Sequence, residues 1–510
     1  MGRAAVDRFA RRVGECRAVA SLTSSAPSAP PSSPAWRLGA LVFAASWWAF
    51  DLFVLRAGIP GLLDDTWEYG LAARSLLAGH GFRTLAIHPP LWTLRDAAGT
   101  VPVLVHGPLL PLILAPLLAL FGPRALDHMA LVAALCAWLA AAQLYRLAAP
   151  RFGPAVAAAA AALFTLSPLT LRAVHHDPAL ALGAWLLLLA LDLLARERPR
   201  AFAGGLVFGV ATLARPEFLA GVLLLPLLRR DAWRALLGIV LAATPWWIHS
   251  ARAAGAPLFN LSSYLLIGYH GDRPGLSVLR DFSLPPARWP STLAAAFPTL
   301  IQKGAEFLPH ALKRAVLAPS GATGWLAPLG AVVALREART RAFAALAIAL
   351  AVIPLTVMTL TVYDSRYLVP FLPLECLAVA LGARALSGVL PEWGRRPRAW
   401  IGLVALLVLP SALPALKDAA AEGRRQQARL GEERGLIARG IGRGPAPAGE
   451  VVLSDTPDFV AWTSGWPTVW MSLEEYDALP PCGADGSAPA ADRPCRGGTN
   501  VPWFHPAGVP

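Results

Sequence analysis

Charged residues are scarce in this sequence. They make up 15% of the 510 residues, whereas a soluble protein of this length carries about 25%. Hydrophobic residues make up 56% of the chain. The shortage of charge predicts that lipid, rather than water, contacts most of the surface. We therefore expect an integral membrane protein.

Sequence motifs of several large enzyme classes are missing as well. No P-loop, GxGxxG, HExxH, CxxC or GxSxG motif occurs at a position where it could form the corresponding site. This argues against ATP hydrolysis, a nucleotide-cofactor enzyme, an HExxH metalloprotease and a serine hydrolase. The net charge of +13 comes mainly from arginines in short clusters between apolar runs. Such clusters indicate membrane topology, so we expect no nucleic-acid partner.

The apolar runs and arginine clusters together predict the topology. A full span needs about 20 residues, and about twelve runs are candidates. The run 103–121 holds three prolines, which favours an interfacial or broken helix. If that run does not span, every later arginine cluster up to residue 398 falls on the same side as the arginine-rich N-terminus, as the positive-inside rule requires. We predict an all-α polytopic membrane protein with about eleven transmembrane helices.

This topology divides the chain into an inner N-terminus, a membrane domain and an outer tail. Residues 1–35 are predicted to be a disordered cytoplasmic N-terminus, and 36–416 the transmembrane domain, in the plasma or inner membrane. Its two large extracytoplasmic loops are 59–126, with interfacial helices, and 253–320. The tail 417–510 is predicted to be a small extracytoplasmic α/β domain, because VVLSD, TPDFVAWTSG and PTVWM alternate strand, helix and strand patterns.

Two of the five cysteines lie close together in this polar tail. A short Ala/Gly/Pro-rich segment separates Cys482 from Cys495, and no histidine stands at zinc-site spacing. In an oxidising compartment a disulfide between them would stabilise the tail by roughly 3 kcal/mol. Two free surface thiols are the alternative.

Acidic residues and histidines gather on the outer side in this topology. Asp64 and Asp65 follow the first span, where two adjacent carboxylates are costly unless they are solvated, metal-bound or used in chemistry. As a pair they can supply a general base and an anchor for a metal ion or hydroxyl group. Asp177 follows two histidines. It can act chemically, it can cap a helix with Pro178 at its first position, and both roles can hold at once. A divalent metal is a candidate cofactor, with Asp64, Asp65 and His176 as candidate ligands.

Three short outer connections each carry a single arginine, against the topology preference. Arg172, Arg215 and Arg366 each need a compensating anion, and a lipid phosphate could supply it through forked hydrogen bonds. The alternatives are side chains that snorkel to the interface or ion pairs with Glu217 or Asp364.

Several segments, taken in order, resemble the GT-C type of polytopic glycosyltransferases, such as the protein O-mannosyltransferase and aminoarabinose transferase families. These segments are DDTWEYGLAARSLLAGHGF (64–82), GPLLPLILAPLLALFG (107–122), HHDP (175–178), GLVFGVATLARPE (205–217), PWWIHSARAAGAPL (245–258) and SRYLVPFLP (365–373). One departure is IHPPL (87–91), where the aminoarabinose transferases have an acidic residue and a lysine before the prolines.

The resemblance implies a sugar transfer reaction on the outer face. The donor would be a polyprenyl-phosphate sugar, and the acceptor a lipid, glycan or protein. Asp64 or Asp65 would be the base or metal-organising acid, Asp177 a second acid, and Arg215 a ligand of the donor phosphate. Three further residues within these motifs are expected to bind substrate: Glu68, Tyr69 and Tyr367. A transporter or flippase without covalent chemistry is the rival, but it would favour repeats and charges at the membrane midplane.

Overall fold

The computed structural model describes residues 64–195, 200–225, 231–269, 273, 275–319, 321–362, 364–387, 451–471 and 503–504, with scattered residues between 410 and 450. The described part is mostly helical. Its α-helices are α1 (Asp64–Leu77), α2 (Leu109–Phe121), α3 (Met129–Phe152), α4 (Pro154–Leu166), α5 (Pro168–His176), α6 (Pro178–Leu194), α7 (Ala201–Ala214), α8 (Ala232–Ala254), α9 (Trp289–Ala295), α10 (Phe297–Leu317), α11 (Ala327–Arg336), α12 (Ala338–Leu360), α13 (Leu372–Ser387) and α14 (Pro457–Ser464).

Two described helices are long and apolar enough to cross a membrane, by length and composition. They are Leu131–Phe152 within α3, and α12. Four shorter apolar helices, α2, α4, α6 and α7, accompany them. The predicted first span lies outside the described residues, so the count of about eleven spans stays a prediction.

Helix α2 occupies only part of the proline-rich run 103–121. It has 13 residues, which gives a length of about 20 Å against a hydrocarbon core of about 30 Å. Residues 101–108 before it are not helical. This length fits the predicted interfacial or broken helix.

Small residues allow α7 and α8 to pack with their backbones in close approach. A Cβ atom built on Gly205 would lie 2.0 Å from the carbonyl oxygen of Ala235, and one built on Gly238 would lie 2.4 Å from that of Phe202. Membrane helices commonly associate through such small residues. The close packing of α7 on α8 fixes the position of α7, and Arg215 directly follows that helix.

The tail contains the predicted strand–helix–strand unit. Strand β4 (Val452–Ser454) leads through α14 to β5 (Thr468–Trp470), and the two strands pair in parallel. The tail does not form its sheet alone, however. In the first loop, β1 (Arg83–Thr84) pairs with β3 (Val101–Pro102) in an antiparallel sheet. Strand β2 (Ala86–Ile87) of the same loop pairs with β5, and β6 (Trp503–Phe504) pairs with β4. The sheet therefore joins the tail to the first loop.

Helix α14 packs on α1, the helix that begins with the acidic pair. The Trp67 ring lies 5.2 Å from that of Phe459 and 5.9 Å from that of Trp462, between centroids. The Arg74 guanidinium lies 3.7 Å over the Trp462 ring. These contacts fix the orientation of α1 and hence of its acidic residues. Cys482 and Cys495 lie outside the described residues.

Candidate active site

Helix α1 presents three of the predicted site residues on one side. Asp65, Glu68 and Tyr69 are spaced i, i+3 and i+4, so they neighbour one another on the helix surface. The Asp65 side chain keeps 22% of its surface exposed, whereas the Glu68 side chain keeps 3%. Tyr69 is buried. Asp64 begins the helix, and its side chain lies outside the described set.

His106, in the loop before α2, joins the two acids of α1. Its Nε2 atom lies 3.2 Å from Glu68 Oε2 and 3.8 Å from Asp65 Oδ1. Its Nδ1 atom lies 3.5 Å from the Tyr69 hydroxyl. Burial alone would lower the pKa of His106, but the charges of Glu68 and Asp65 raise it to about 9. The imidazole is therefore protonated at neutral pH.

His106 was not among the residues predicted from the sequence. The available signal was a histidine in the first outer loop, on the side of the acidic pair. His88 is a second unpredicted neighbour, with its Nε2 atom 3.8 Å from Glu68 Oε2. Glu68 therefore lies between two imidazoles, and its role as a substrate-binding residue stays a prediction.

Arg366 approaches Asp65 from the loop between α12 and α13. Its Nη1 atom lies 3.5 Å from Asp65 Oδ2, and its Nε atom lies 3.2 Å from Asp364 Oδ2. The Arg366 side chain keeps 29% of its surface exposed. Burial raises the pKa of the Asp65 carboxyl, but His106, Arg366 and Arg215 outweigh burial and hold it below its ordinary value. Asp65 is therefore an ionised carboxylate that substrate can reach.

A second ion-pair group lies at the junction of α7 and α6. Arg215 Nη1 donates to Asp177 Oδ2 at 2.9 Å, and Arg215 Nε donates to Glu217 Oε1 at 2.6 Å. Asp177 also caps α6, since its Oδ1 accepts a hydrogen bond from the Ala179 amide at 2.9 Å. Asp177 therefore caps α6 before Pro178. Arg215 pairs with Glu217, which was the alternative to phosphate binding, and phosphate binding by Arg215 stays a prediction.

Proline at 216 explains how Arg215 reaches both acids. A residue before proline is disfavoured in helical geometry, and Arg215 has φ −140° and ψ 100°, an extended conformation that ends α7. The side chain therefore turns away from the helix toward Asp177. It keeps only 7% of its surface exposed, and that of Asp177 keeps none.

Tyr367 lies between the two ion-pair groups. The centre of its ring is 5.1 Å from the Arg215 guanidinium carbon and 5.5 Å from that of Arg366. We call Asp65, Glu68, His106 and Arg366 the open cluster. We call Asp177, Arg215 and Glu217 the closed cluster. The structure therefore brings seven predicted site residues close to one another: Asp65, Glu68, Tyr69, Asp177, Arg215, Arg366 and Tyr367.

Arg172 lies apart from both clusters, and the metal hypothesis stays a prediction. Arg172 is exposed on α5, and no described contact joins it to either cluster. Among the residues the structure describes, no three His, Cys, Asp or Glu side chains form a group suited to a metal ion. The side chains of Asp64 and His176 fall outside that set. Asp65, the third candidate ligand, instead contacts Arg366 and His106.

An apolar cavity of about 300 Å³ reaches the connection between α12 and α13 that carries Arg366. It is lined by α10, α11, α12 and α13, and by Leu368 and Phe371. Leu368 is two residues from Arg366 in the same connection. The cavity therefore joins the membrane helices to the segment that carries the exposed arginine.

Comparisons with known proteins fit this geometry. The sequence family described as dolichyl-phosphate-mannose-protein mannosyltransferase matches residues 105–249, a segment that contains His106, Asp177 and Arg215. No curated protein sequence matches the chain. The solved structure of ArnT from Cupriavidus metallidurans, bound to undecaprenyl phosphate, is similar with a TM-score of 0.53 at 14% identity, over 86% of each chain. The predicted resemblance to the GT-C type glycosyltransferases is confirmed.

A second solved structure is more distant. It is an oligosaccharyltransferase from Archaeoglobus fulgidus tethered to an acceptor peptide, with 13% identity and a TM-score of 0.47. The similarity covers 87% of this chain and 64% of that one. At its low identity, the ArnT similarity supports the fold alone. The roles of individual residues in this GT-C-like chain must therefore come from its own geometry.

Proposed function

We propose that this chain is a membrane glycosyltransferase. It transfers a sugar from a polyprenyl-phosphate donor to an acceptor hydroxyl on the extracytoplasmic face. The observation that carries the proposal is the pairing of an ionised, partly exposed Asp65 with a partly exposed Arg366 at 3.5 Å, in a chain connection whose Leu368 and Phe371 also line an apolar cavity. A general base, a cation for a leaving phosphate and an apolar surface for a lipid are the groups that this reaction needs.

In this reaction the acceptor hydroxyl attacks the anomeric carbon of the donor sugar. Asp65 accepts the hydroxyl proton as the new carbon–oxygen bond forms. The bond between the anomeric carbon and the phosphate oxygen breaks, and its electron pair leaves with the polyprenyl phosphate. Arg366 stabilises the negative charge that develops there, because a guanidinium binds phosphate oxygens through forked, charge-assisted hydrogen bonds.

His106 has a supporting role in this account. As an imidazolium it compensates the buried Glu68 carboxylate and also lies 3.8 Å from Asp65. Glu68 is held in its charged form chiefly by His106 against the effect of burial, so its pKa lies below the ordinary value. Loss of the His106 charge would leave two carboxylates close together, which raises the pKa of Asp65 and weakens its orientation.

Arg366 fits the donor phosphate better than Arg215, which the resemblance favoured. Two carboxylates already occupy the Arg215 guanidinium, and little of its surface is exposed. Arg366 makes longer contacts and keeps 29% of its side chain exposed. We therefore propose Arg366 as the first phosphate ligand, and Arg215 as the residue that holds Asp177.

The apolar cavity supports a lipid-linked donor rather than a soluble one. Its lining comes almost wholly from apolar side chains of α10 to α13. A polyprenyl chain placed there would bring its phosphate to the connection that carries Arg366. The ArnT structure, which was determined with undecaprenyl phosphate, supports the same class of donor. The acceptor proposed is a lipid, glycan or protein at the outer face.

The proposed orientation follows from the arginine clusters. With about eleven spans, the N-terminus is cytoplasmic, while both clusters and the tail are extracytoplasmic. Cysteine labelling at Arg124→Cys with an impermeant reagent from outside tests this topology. Protection at residue 124 together with reactivity at Arg198→Cys would overturn it.

The direct test is consumption of a radiolabelled polyprenyl-phosphate sugar. Membranes that contain the wild-type chain should lose lipid-linked label to an acceptor, and membranes that contain Asp65→Asn should not. A transporter or flippase would move the lipid-linked sugar across the membrane while its label stays on the lipid. If the label stays on the lipid, and membranes with Asp65→Asn consume no less label than wild-type membranes, the proposal is overturned.

A further inference from the structure

Strand pairing with the tail places His88 beside a tryptophan of the tail. Strand β2 pairs in parallel with β5, and Ile87 lies opposite Val469 in this register. The next positions along the two chains are His88 and Trp470. Their rings contact each other, with 5.3 Å between the centroids and 80° between the planes. The tail therefore forms one side of the space around His88.

The backbone of His88 is fixed on both sides. Before it, the Thr468 amide donates to the Leu85 carbonyl oxygen at 2.8 Å, which extends the pairing of β2 with β5. After it, Pro89 disfavours helical geometry at His88, whose φ of −77° and ψ of 130° are extended. The Leu91 amide then donates to the His88 carbonyl oxygen at 2.8 Å. The position from which the imidazole projects is therefore set by the tail strand and by the proline turn.

The His88 side chain is buried without a hydrogen bond. It keeps 7% of its surface exposed, and neither ring nitrogen has a hydrogen-bond partner among the residues that the structure describes. Its Nε2 atom lies 3.8 Å from Glu68 Oε2, which is longer than a hydrogen bond. In the same described part of the chain, Glu68 Oε1 has no partner either. Buried polar atoms without partners are rare in native proteins, and a catalytic role is one explanation for them.

Glu68 connects His88 to Asp65, the proposed base. Glu68 Oε2 faces two imidazoles, at 3.2 Å from His106 Nε2 and 3.8 Å from His88 Nε2. His106 Nε2 in turn lies 3.8 Å from Asp65 Oδ1. The other carboxylate oxygen of Asp65, Oδ2, faces Arg366 at 3.5 Å. An effect that starts at His88 therefore reaches Asp65 through the oxygen that does not face Arg366.

We propose that His88 positions Glu68, and that the tail positions His88 through Trp470. His88 is a positioning residue, because it acts on Asp65 through Glu68 and His106. Contacts at active sites are often long without substrate and shorten in the substrate complex. When the 3.8 Å contact shortens, the imidazole donates to Glu68 and holds that carboxylate against His106. This inference rests on the proposed glycosyltransferase function and adds the tail to its active site.

Turnover and lipid binding of the full chain separate a positioning role from donor binding. Turnover is the maximum rate at which membranes consume the radiolabelled polyprenyl-phosphate sugar, per folded chain. Binding is that of undecaprenyl phosphate to the purified chain. His88→Leu should lower the maximum rate about tenfold to a hundredfold, the effect of losing one hydrogen bond to a charged group, and leave lipid binding at the wild-type level. His88→Gln should recover part of the rate, because its amide can donate to Glu68.

Thermal stability gives a second measurement on the same variant. His88→Leu should not lower Tm, because it removes a buried imidazole that makes no hydrogen bond in the substrate-free chain. A histidine with a merely structural role would show the opposite pattern, a lower Tm with the wild-type rate per folded chain. That pattern would contradict the positioning role.

Combined variants test whether the effect passes through Glu68 and starts in the tail. In a Glu68→Gln background, His88→Leu should lower the rate little further, since both changes act on one contact. Trp470→Leu should lower the rate in the wild-type background and add little to His88→Leu. Trp289→Leu is the matched control and should keep the wild-type rate. Trp289 and Trp470 are both partly buried against the apolar cluster that contains Ile87, but no described contact joins Trp289 to His88.

The outcomes separate this inference from the proposed function. A wild-type chain that consumes no label would overturn the proposed function, and the inference with it. A wild-type chain that consumes label, together with a His88→Leu chain of equal rate, overturns the inference alone. Lost lipid binding in His88→Leu also overturns it, because the imidazole would then act on the donor directly. If His88→Leu does not fold, the tryptophan variants decide, and equal rates in Trp470→Leu and Trp289→Leu would contradict positioning by the tail.

Discussion

The open and closed clusters contain the same kinds of side chain but differ in what can reach them. In the closed cluster Arg215 contacts its two carboxylates at 2.9 and 2.6 Å, and the Asp177 side chain has no exposed surface. In the open cluster Arg366 contacts Asp65 at 3.5 Å, and both side chains are partly exposed. Chemistry requires contact with substrate. We therefore propose that catalysis takes place at the open cluster and that the closed cluster supports it.

The difference arises from how each cluster is built. The closed cluster comes from two helix ends, each set by a proline: Asp177 caps α6 before Pro178, and Arg215 ends α7 before Pro216. Its acids are used for capping and for pairing with Arg215. The open cluster assembles from α1, the loop before α2 and the loop before α13. Such loop-borne residues leave surface free for a ligand.

The largest predicted effect separates the two aspartates. Asp65→Asn should lower turnover of the polyprenyl-phosphate sugar by about a hundredfold to ten-thousandfold, the range expected for loss of a general base, and leave Tm nearly unchanged. Asp177→Asn should instead lower Tm, because it leaves the buried Arg215 with one carboxylate and weakens the cap of α6. A stable Asp177→Asn protein with lost turnover, beside an active Asp65→Asn protein, would reverse the assignment.

The next effect separates the two arginines by stability. Arg215→Met should lower the free energy of unfolding by about 3–5 kcal/mol, because it leaves the buried Asp177 carboxylate uncompensated. Arg366→Met should cost less than about 1 kcal/mol, since its ion pairs are longer and partly exposed. Thermal melts in detergent measure both. The double variant Arg215→Met/Asp177→Asn should recover part of the loss, and failure to recover would contradict a direct pairing.

A smaller effect concerns the pH dependence of the open cluster. The folded-state pKa of His106 is about 9, against an ordinary value of 6.5. The His106 contribution to stability is therefore complete below pH 6.5 and is lost as the pH rises through about 9. Turnover should fall over the same alkaline range as Asp65 loses its cationic neighbour. His106→Gln should remove this alkaline transition, and a transition that persists in that variant would exclude His106 as its source.

The smallest effect concerns the contact between the tail and α1. Arg74→Met should lower the stability of this contact by about 1 kcal/mol, through loss of the cation–π contact with Trp462, and should speed proteolytic release of the tail. Arg95→Met is the matched control, since the Arg95 guanidinium lies 4.0 Å over the Trp92 ring within the first loop. Equal tail release from both variants would contradict a specific role for Arg74.

The sequence predicted the residue types of the site better than their pairing. Lone arginines and boundary acids on the outer side pointed to Asp65, Asp177, Arg215 and Arg366, since unpaired charges at a membrane boundary are costly. The sequence alone did not indicate which arginine stays exposed. That depends on the chain turn at Pro216 and on three segments far apart in sequence.

The pairing of the tail strands with the first loop could not be predicted from the sequence either. The tail strands have clear apolar patterns, but β2 is only two residues long and has no periodicity of its own. It pairs with β5 across most of the chain length. His106 was missed for a similar reason, because its function depends on Glu68 and Asp65 in another element.

The most direct test is the affinity of undecaprenyl phosphate for two matched variants, Arg366→Met and Arg215→Met, measured well below both Tm values. If the open cluster holds the donor phosphate, Arg366→Met should weaken binding by at least about tenfold, while Arg215→Met should keep nearly the wild-type affinity. Lost binding in a folded Arg215→Met protein, with wild-type binding in Arg366→Met, would contradict the account.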